Sequence, residues 1–459
     1  MGRFYAASAA IAALISASFV SAEIPTCGPN KLCPAETPCC SAYGQCGVGA
    51  YCLGGCDPLF SHSLESCVPN PICKSQDYNL NSLDDIAPNT RYLGDSSKAK
   101  WVSSGQPVAY QNEAVLLTMA PDTVGTLLAT TNYVWYGKIS ATMTTSQGKG
   151  VVTAFIMMSD VKDEIDFEFV GIDVENAQSN YYSQGVTNYN NGRNLSTSNT
   201  VTNTHTYTID WTPEKIDWQI DGKTLRTVER QSTWNATANR YDYPQTPARV
   251  MLSLWPAGLA SNAPGTINWA GGLVDWDSPY MQNGYYYALV SDVKVECYDP
   301  PRGANVQGSK SYKYTDKAGT NDTVVVSDDV EILASLFATG EDPKKDPNAA
   351  ASKSSTAAST KTGSAAAEST SAEVETVPGL SGAGARGEEG GPAAVVSQAP
   401  GSSVTQPAAG SLQTAGGSVG TGFSQGDTQG QSGAAGKDRR VVGGSGIAFV
   451  GALVGLLVL

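Results

Sequence analysis

The sequence predicts an all-β sandwich or barrel, flanked by a small disulfide-rich module and a disordered tail. Three observations carry this expectation. Residues 74–300 gather most aromatic and β-branched residues into short runs broken at Gly, Asn, Asp and Pro, as short strands joined by turns require. Nine of the ten cysteines crowd between Cys27 and Cys73, a density typical of a stapled extracellular module. Residues 350–446 are rich in Ser, Thr, Ala, Gly and Pro and hold one aromatic, Phe423, too little apolar surface to fold.

In chain order, residues 1–22 read as a secretory signal, with an early Arg3, a short apolar run and small residues at Val20, Ser21 and Ala22. Residues 23–72 form the cysteine module. In residues 73–300, "YVWYGKISATMT", "VVTAFIMM", "TYTIDWT", "IDWQIDGKTLRTV" and "ARVMLSLWP" are the clearest strands. Residues 301–349 are an extension in which Ser327 and DDVEILASLF predict a capped helix of about three turns. Residues 350–432 are a stalk. Residues 433–459, together with the preceding Ser432, combine small residues at Ser432 and Gly433, a polar spacer and the apolar run Ile447 to Leu459. That order is the pattern of a GPI attachment signal, with Ser432 or Gly433 as the attachment residue. Sequons at Asn194, Asn235 and Asn321 fit a secreted glycoprotein. With 29 basic against 43 acidic residues, nucleic acid is not an expected partner; a monomer tethered to the membrane through lipid is.

Within "DEIDFEFVG" (163–171), Glu164, Asp166 and Glu168 alternate with Ile165, Phe167 and Phe169. On a helix this pattern scatters; on a strand all three carboxylates share one face and the apolar residues the other. Three carboxylates on one face raise at least one pKa, which suits an ionised nucleophile paired with a protonated acid. Four strand residues separate the outer Cα atoms by about 13 Å. Side chains leaning inward leave a gap near the ~5–5.5 Å of retaining glycosidases. A solvated acidic face and a calcium site remain alternatives. With only His62 and His205, a Ser-His-Asp triad or multi-histidine zinc site has little to build from, and no cofactor or metal is called for. Tyr133, Trp135, Tyr136, Trp211, Trp218, Trp255, Trp269, Trp276 and Tyr285 to Tyr287 exceed what a small core needs. Most are expected in the core, with the remainder free to stack on sugar rings.

"DEIDFEFVG" resembles the E-x-D-x-E catalytic strand of glycoside hydrolase family 16, and "YGKISATM", "YTIDWTPEKIDWQIDG" and "LSLWPAG" resemble its flanking strands in order. The resemblance covers about residues 80–300. It implies a β-jelly-roll with Glu164 as nucleophile, Asp166 as assisting carboxylate and Glu168 as acid/base. "LSLWPAG…APGTINWAGG" looks most like the fungal Crh cell-wall transglycosylases, which join chitin to β-glucan. In that group Glu168, Trp255 and Thr266 would contact sugar, together with Met251, where a basic residue is common. "KLCPAETPCCSAYGQCGVGAYCLGGC" resembles a hevein-type chitin-binding module. It implies bridges Cys27–Cys40, Cys33–Cys46 and Cys39–Cys52, with Cys56–Cys67 and Cys73–Cys297 completing five. Its sugar contacts would be Ser41, Tyr43 and Tyr51, with Gln45 at a position usually aromatic. All three carboxylates lie outside the module, so its removal is expected to leave catalysis largely intact. The expected function is a retaining transglycosylase moving chitin onto β-glucan. A hydrolytic glucanase or chitinase, or an idle glycan-binding wall protein, is the alternative.

Overall fold

Strands buried along most of their length build two eight-stranded sheets that share one core. The computed structural model describes residues 24–347, all within one compact unit of the chain. The signal segment, the stalk and the attachment residues Ser432 and Gly433 lie outside the described residues.

The sheet that carries the carboxylates contains β1 (Ile86–Pro88), β2 (Trp101–Ser104), β3 (Thr126–Thr130), β4 (Val151–Ser159), β5 (Glu164–Val170), β6 (Asn176–Tyr182), β7 (Arg193–Ser196) and β8 (Ala248–Pro256). Their spatial order is β7-β6-β5-β4-β8-β3-β2-β1. All neighbours are antiparallel except β1 and β2. The second sheet centres on Gly137–Thr144 and Tyr286–Cys297, which pair along most of their length. Phe155, Ile165 and Phe167 of the first sheet share a core with Ile139, Tyr207 and Val293 of the second. Phe169 meets Tyr207 edge-on at 4.6 Å. Each such fully buried side chain contributes about 1.5–3 kcal/mol, which explains the apolar half of the alternation. The nearly all-β architecture is that of the expected jelly-roll sandwich.

Two expectations need correction. The run 216–228 is not one strand but a hairpin, Lys215–Ile220 and Lys223–Glu229, broken at Asp221 and Gly222. Both turn residues have positive φ, 51° and 77°, the requirement of a two-residue type I′ turn that Asp-Gly satisfies. The helix expected after Ser327 does not form. That segment runs without regular structure because its backbone groups bond elsewhere. Leu333 N–H donates to Leu93 C=O, Ala334 N–H to Pro343 C=O, Gly49 N–H to Ala338 C=O and Gly340 N–H to Ser66 C=O. Leu333 and Ala338 are buried against Tyr51 and Cys52. The segment is a strap over the cysteine module, and tertiary partners override its helical spacing.

The five bridges join the pairs that the resemblance implies. Cys73–Cys297 closes 224 residues and ties the start of the sandwich to the last strand of the second sheet. The module does not hang from the sandwich as a separable bead. Gly55 N–H is shared between Asp160 Oδ1 at 2.9 Å and the Tyr133 hydroxyl at 3.0 Å. Asp160 is buried and also accepts from Asn70 at 2.7 Å and from Tyr133 at 2.6 Å. Asp57 faces Lys162 at 3.6 Å. Asn194 is exposed on β7, whereas the Asn235 amide donates to Asp242 at 2.8 Å and Asn321 is half-buried.

Candidate active site

A tight turn sets the carboxylate strand. Ser159 to Asp163 reverses the chain with Lys162 at φ 66°. Asp163 is buried and accepts from the backbone of Gln184, Gln245 and Thr246 and from the Thr246 hydroxyl. Its role is structural, because every oxygen is committed to holding the entry to β5. At mid-strand, Trp218 from the other sheet donates its indole N–H to the Asp166 backbone carbonyl at 2.9 Å.

Register then assembles the face. Glu164 pairs with Tyr182 on one side and Met158 on the other, and Met158 with Arg249. Asp166 lies between Asn180 and Ile156, and Ile156 pairs with Met251. Glu168 lies between Gln178 and Ala154, and Ala154 pairs with Ser253. Paired residues project to the same side, so these three rows form one floor.

Oxygens of Glu164, Asp166, Glu168 and Asn180, and the Trp255 indole N–H, are buried on this floor without a hydrogen-bond partner. Unpartnered buried polar atoms are rare and costly, and five of them on one patch mark a surface organised for a ligand rather than a solvated acidic face. Burial raises Glu164 well above the usual carboxylate range, with the Asp166 charge adding to it. Burial lifts Asp166 to about 7. Glu168 is also pushed well up, by burial first and then by the charges of Asp166 and Glu164. The cluster therefore holds at least one proton at mildly acidic pH, as an acid and nucleophile pair requires. Among the described residues, only Cys27, Cys33 and Cys40 converge closely enough for a metal, and all three are in bridges. Glu164, Asp166 and Glu168 are not among them.

Trp255, one row beyond Glu168, is buried beside Trp269 with ring centroids 6.2 Å apart. Trp269 sits at the end of α1 (Pro264–Trp269), which also carries the buried Thr266. Its indole N–H donates to Gln178 at 2.8 Å. Trp255 and Thr266 thus stand on the Glu168 side of the floor. Tyr133, Trp135, Tyr136, Trp211 and Trp218 are core.

Other expected contacts are corrected. Met251 is only 2% exposed, with Tyr43 of the cysteine module packed on its cluster, and it borders the cavity beneath that module rather than an open surface. Ser41 is buried and its hydroxyl accepts from Gln45 N–H at 3.3 Å. Tyr51 is buried with its ring against Gly47, where a Cβ would come within 2.4 Å. The outward sugar platform of the module is not formed, because two of its three residues are buried and Tyr43 turns onto the sheet. The sequence reading did not single out Gln178, Asn180 and Tyr182, although their period-2 spacing in "NAQSNYY" places them on one strand face. Arg249 was missed too; it sits two residues before Met251 on the same face.

The family model for Glycosyl hydrolases family 16 matches residues 95–271. Crh-like protein 3 of Botryotinia fuckeliana is 56% identical over 334 residues, 72% of this chain and 74% of its own length. Crh-like protein 2 of Aspergillus fumigatus is 54% identical over 341 residues, 73% and 77% of the two chains. Among solved structures, a Crh5 transglycosylase in complex with NAG is 29% identical, with a TM-score of 0.48, over 59% of this chain and 100% of that one.

Proposed function

This chain belongs to glycosyl hydrolase family 16, in its Crh-like group, and on that premise we propose that it cleaves chitin with retention and transfers the glycosyl unit to β-glucan. One observation carries the reading: Glu164, Asp166 and Glu168 share a buried face, and each has a side-chain oxygen without a partner. Glu164 attacks the anomeric carbon as Glu168 donates its proton to the departing glycosidic oxygen. A glycosyl ester on Glu164 forms and the leaving chain departs with that proton. Glu168, now ionised, takes a proton from a hydroxyl of the acceptor sugar, whose oxygen displaces Glu164. Asp166 lies between them; burial keeps Glu168 protonated, and the Asp166 charge adds to this as Asp166 ionises near pH 7.

Transfer rather than hydrolysis requires that an acceptor sugar reach the intermediate before water does. The buried floor and the Trp255–Trp269 wall beside Glu168 support that preference, since a ring stacked there excludes water. Secretion and lipid anchoring at Ser432 or Gly433 complete the proposal and place the reaction at the cell wall. The chemistry is tested by quenching the reaction with acid and weighing the protein intact. A mass increase by whole sugar units, absent in Glu164→Gln, supports the covalent step. An unmodified protein during steady turnover contradicts it.

A further inference from the structure

The carboxylate pair fixes the direction in which a glycan crosses the floor. Glu164 and Glu168 flank the scissile bond and follow one another along β5, so the polymer passes between them and across the strands. Its path is the row Asn180, Asp166, Ile156, Met251 and Ala129. Toward Ala129 that row runs beneath Tyr43, which packs on the cluster of Ile156, Met251 and Ala129. Met251 lies two strand spacings from Asp166, about 10 Å.

One row over, Arg249 pairs with Met158, the neighbour of Glu164. Its Nε is buried without a hydrogen-bond partner, and none of the ion pairs among the described residues uses it. The module's backbone presses directly on it, since a Cβ at Gly54 would lie 2.6 Å from Nη1. Arg249 is a half-buried cation that lies over the Tyr133 ring at 5.9 Å and feels the charge of buried Asp160 without a direct ion pair, and its buried Nε–H still lacks an acceptor, which is costly. It borders a cavity of about 240 Å³, lined by Ser41, Tyr43 and Gly54 of the module and by Glu164, Arg249 and Met251 of the sheet. Burial raises the Tyr43 hydroxyl pKa despite the opposing Arg249 charge, so the hydroxyl is neutral and can donate.

We propose that this cavity is the terminal glycan subsite of one arm of the cleft, in which Tyr43 forms the end wall and Arg249 binds a hydroxyl or N-acetyl oxygen of the last sugar. The cysteine module is then part of the catalytic cleft. On this arm the enzyme takes a chain end, because Tyr43 blocks a chain from running through. The inference rests on the glycan-cleaving role of Glu164 and Glu168.

Chitin oligomers of increasing length, labelled at one end, are given to the full chain with a β-glucan acceptor, and the bond cut is mapped by mass. The wild type is expected to cut at a fixed, short distance from one end whatever the length, and Tyr43→Ala to spread the cuts. Cuts scattered along the oligomer in the wild type, or a Tyr43→Ala pattern identical to wild type, overturn the proposal. Calorimetry on Glu164→Gln needs no turnover. There, adding Arg249→Gln is expected to weaken a chitin hexamer about tenfold, as for one charged hydrogen bond, with an unchanged Tm; an unchanged Kd overturns the subsite. A wild type that cuts nothing defeats the proposed reaction, and calorimetry alone then decides the subsite.

Discussion

Asn180 on β6 stands directly opposite Asp166 on β5, and a buried oxygen of each side chain lacks a hydrogen-bond partner. The pair lies midway between the two glutamates. Once Asp166 ionises, above about pH 7, its charge is one reason Glu168 holds its proton.

Asp166→Asn is expected to move the alkaline limb of the kcat/KM profile to lower pH, because Glu168 loses a neighbouring negative charge. Stability should shift as well. Burial lifts the folded-state pKa of Asp166 from 3.8 to about 7, so the native protein keeps a proton that the unfolded chain releases. Its contribution therefore makes stability fall as pH rises through that window. The asparagine variant loses this dependence and melts higher than wild type at pH 7; each pKa unit is worth about 1.4 kcal/mol. Unchanged profiles in both assays would contradict the role.

Glu168→Gln is expected to cost about 10²–10⁴-fold with natural glycans, which need leaving-group protonation, and far less with activated aryl glycosides. Equal losses on both substrates would assign the acid elsewhere. Glu164→Gln should abolish turnover on both.

Trp269→Ala removes the ring beside Trp255 and frees Gln178. KM is expected to rise about three- to tenfold, in line with the loss of one stacking contact, with kcat little changed. Steady-state kinetics over acceptor concentration reads this directly. A loss confined to kcat would place Trp269 outside the binding surface.

Replacing Cys73 and Cys297 by serine opens a bridge that spans 224 residues. A loss of roughly 2–5 kcal/mol is expected, seen as a lower Tm by calorimetry with activity retained at low temperature. An unaltered Tm would mean the sandwich ends are held by strand pairing alone.

The alternation of Glu164, Asp166 and Glu168 with Ile165, Phe167 and Phe169 made the strand, its face and its chemistry legible, because side-chain direction in a strand has a strict period of two. The crowding of Cys27 to Cys73 marked the module for a similar local reason. What stayed hidden is non-local. Nothing in the sequence near Tyr43 points to Met251, although the two pack together. Leu333 and Leu336 have helical spacing, yet backbone partners at Leu93 and Pro343 hold the segment open. The hairpin at Asp221–Gly222 had a local signal, the Asp-Gly pair, which the continuous alternation around it masked.

The most direct test mixes the secreted chain with chitin oligomers and a fluorescent β-glucan acceptor and resolves the products by mass. The expected product is a labelled glucan carrying N-acetylhexosamine units, formed by the wild type and absent with Glu164→Gln. Shorter chitin fragments without a labelled adduct, or binding without any new product, would contradict transglycosylation.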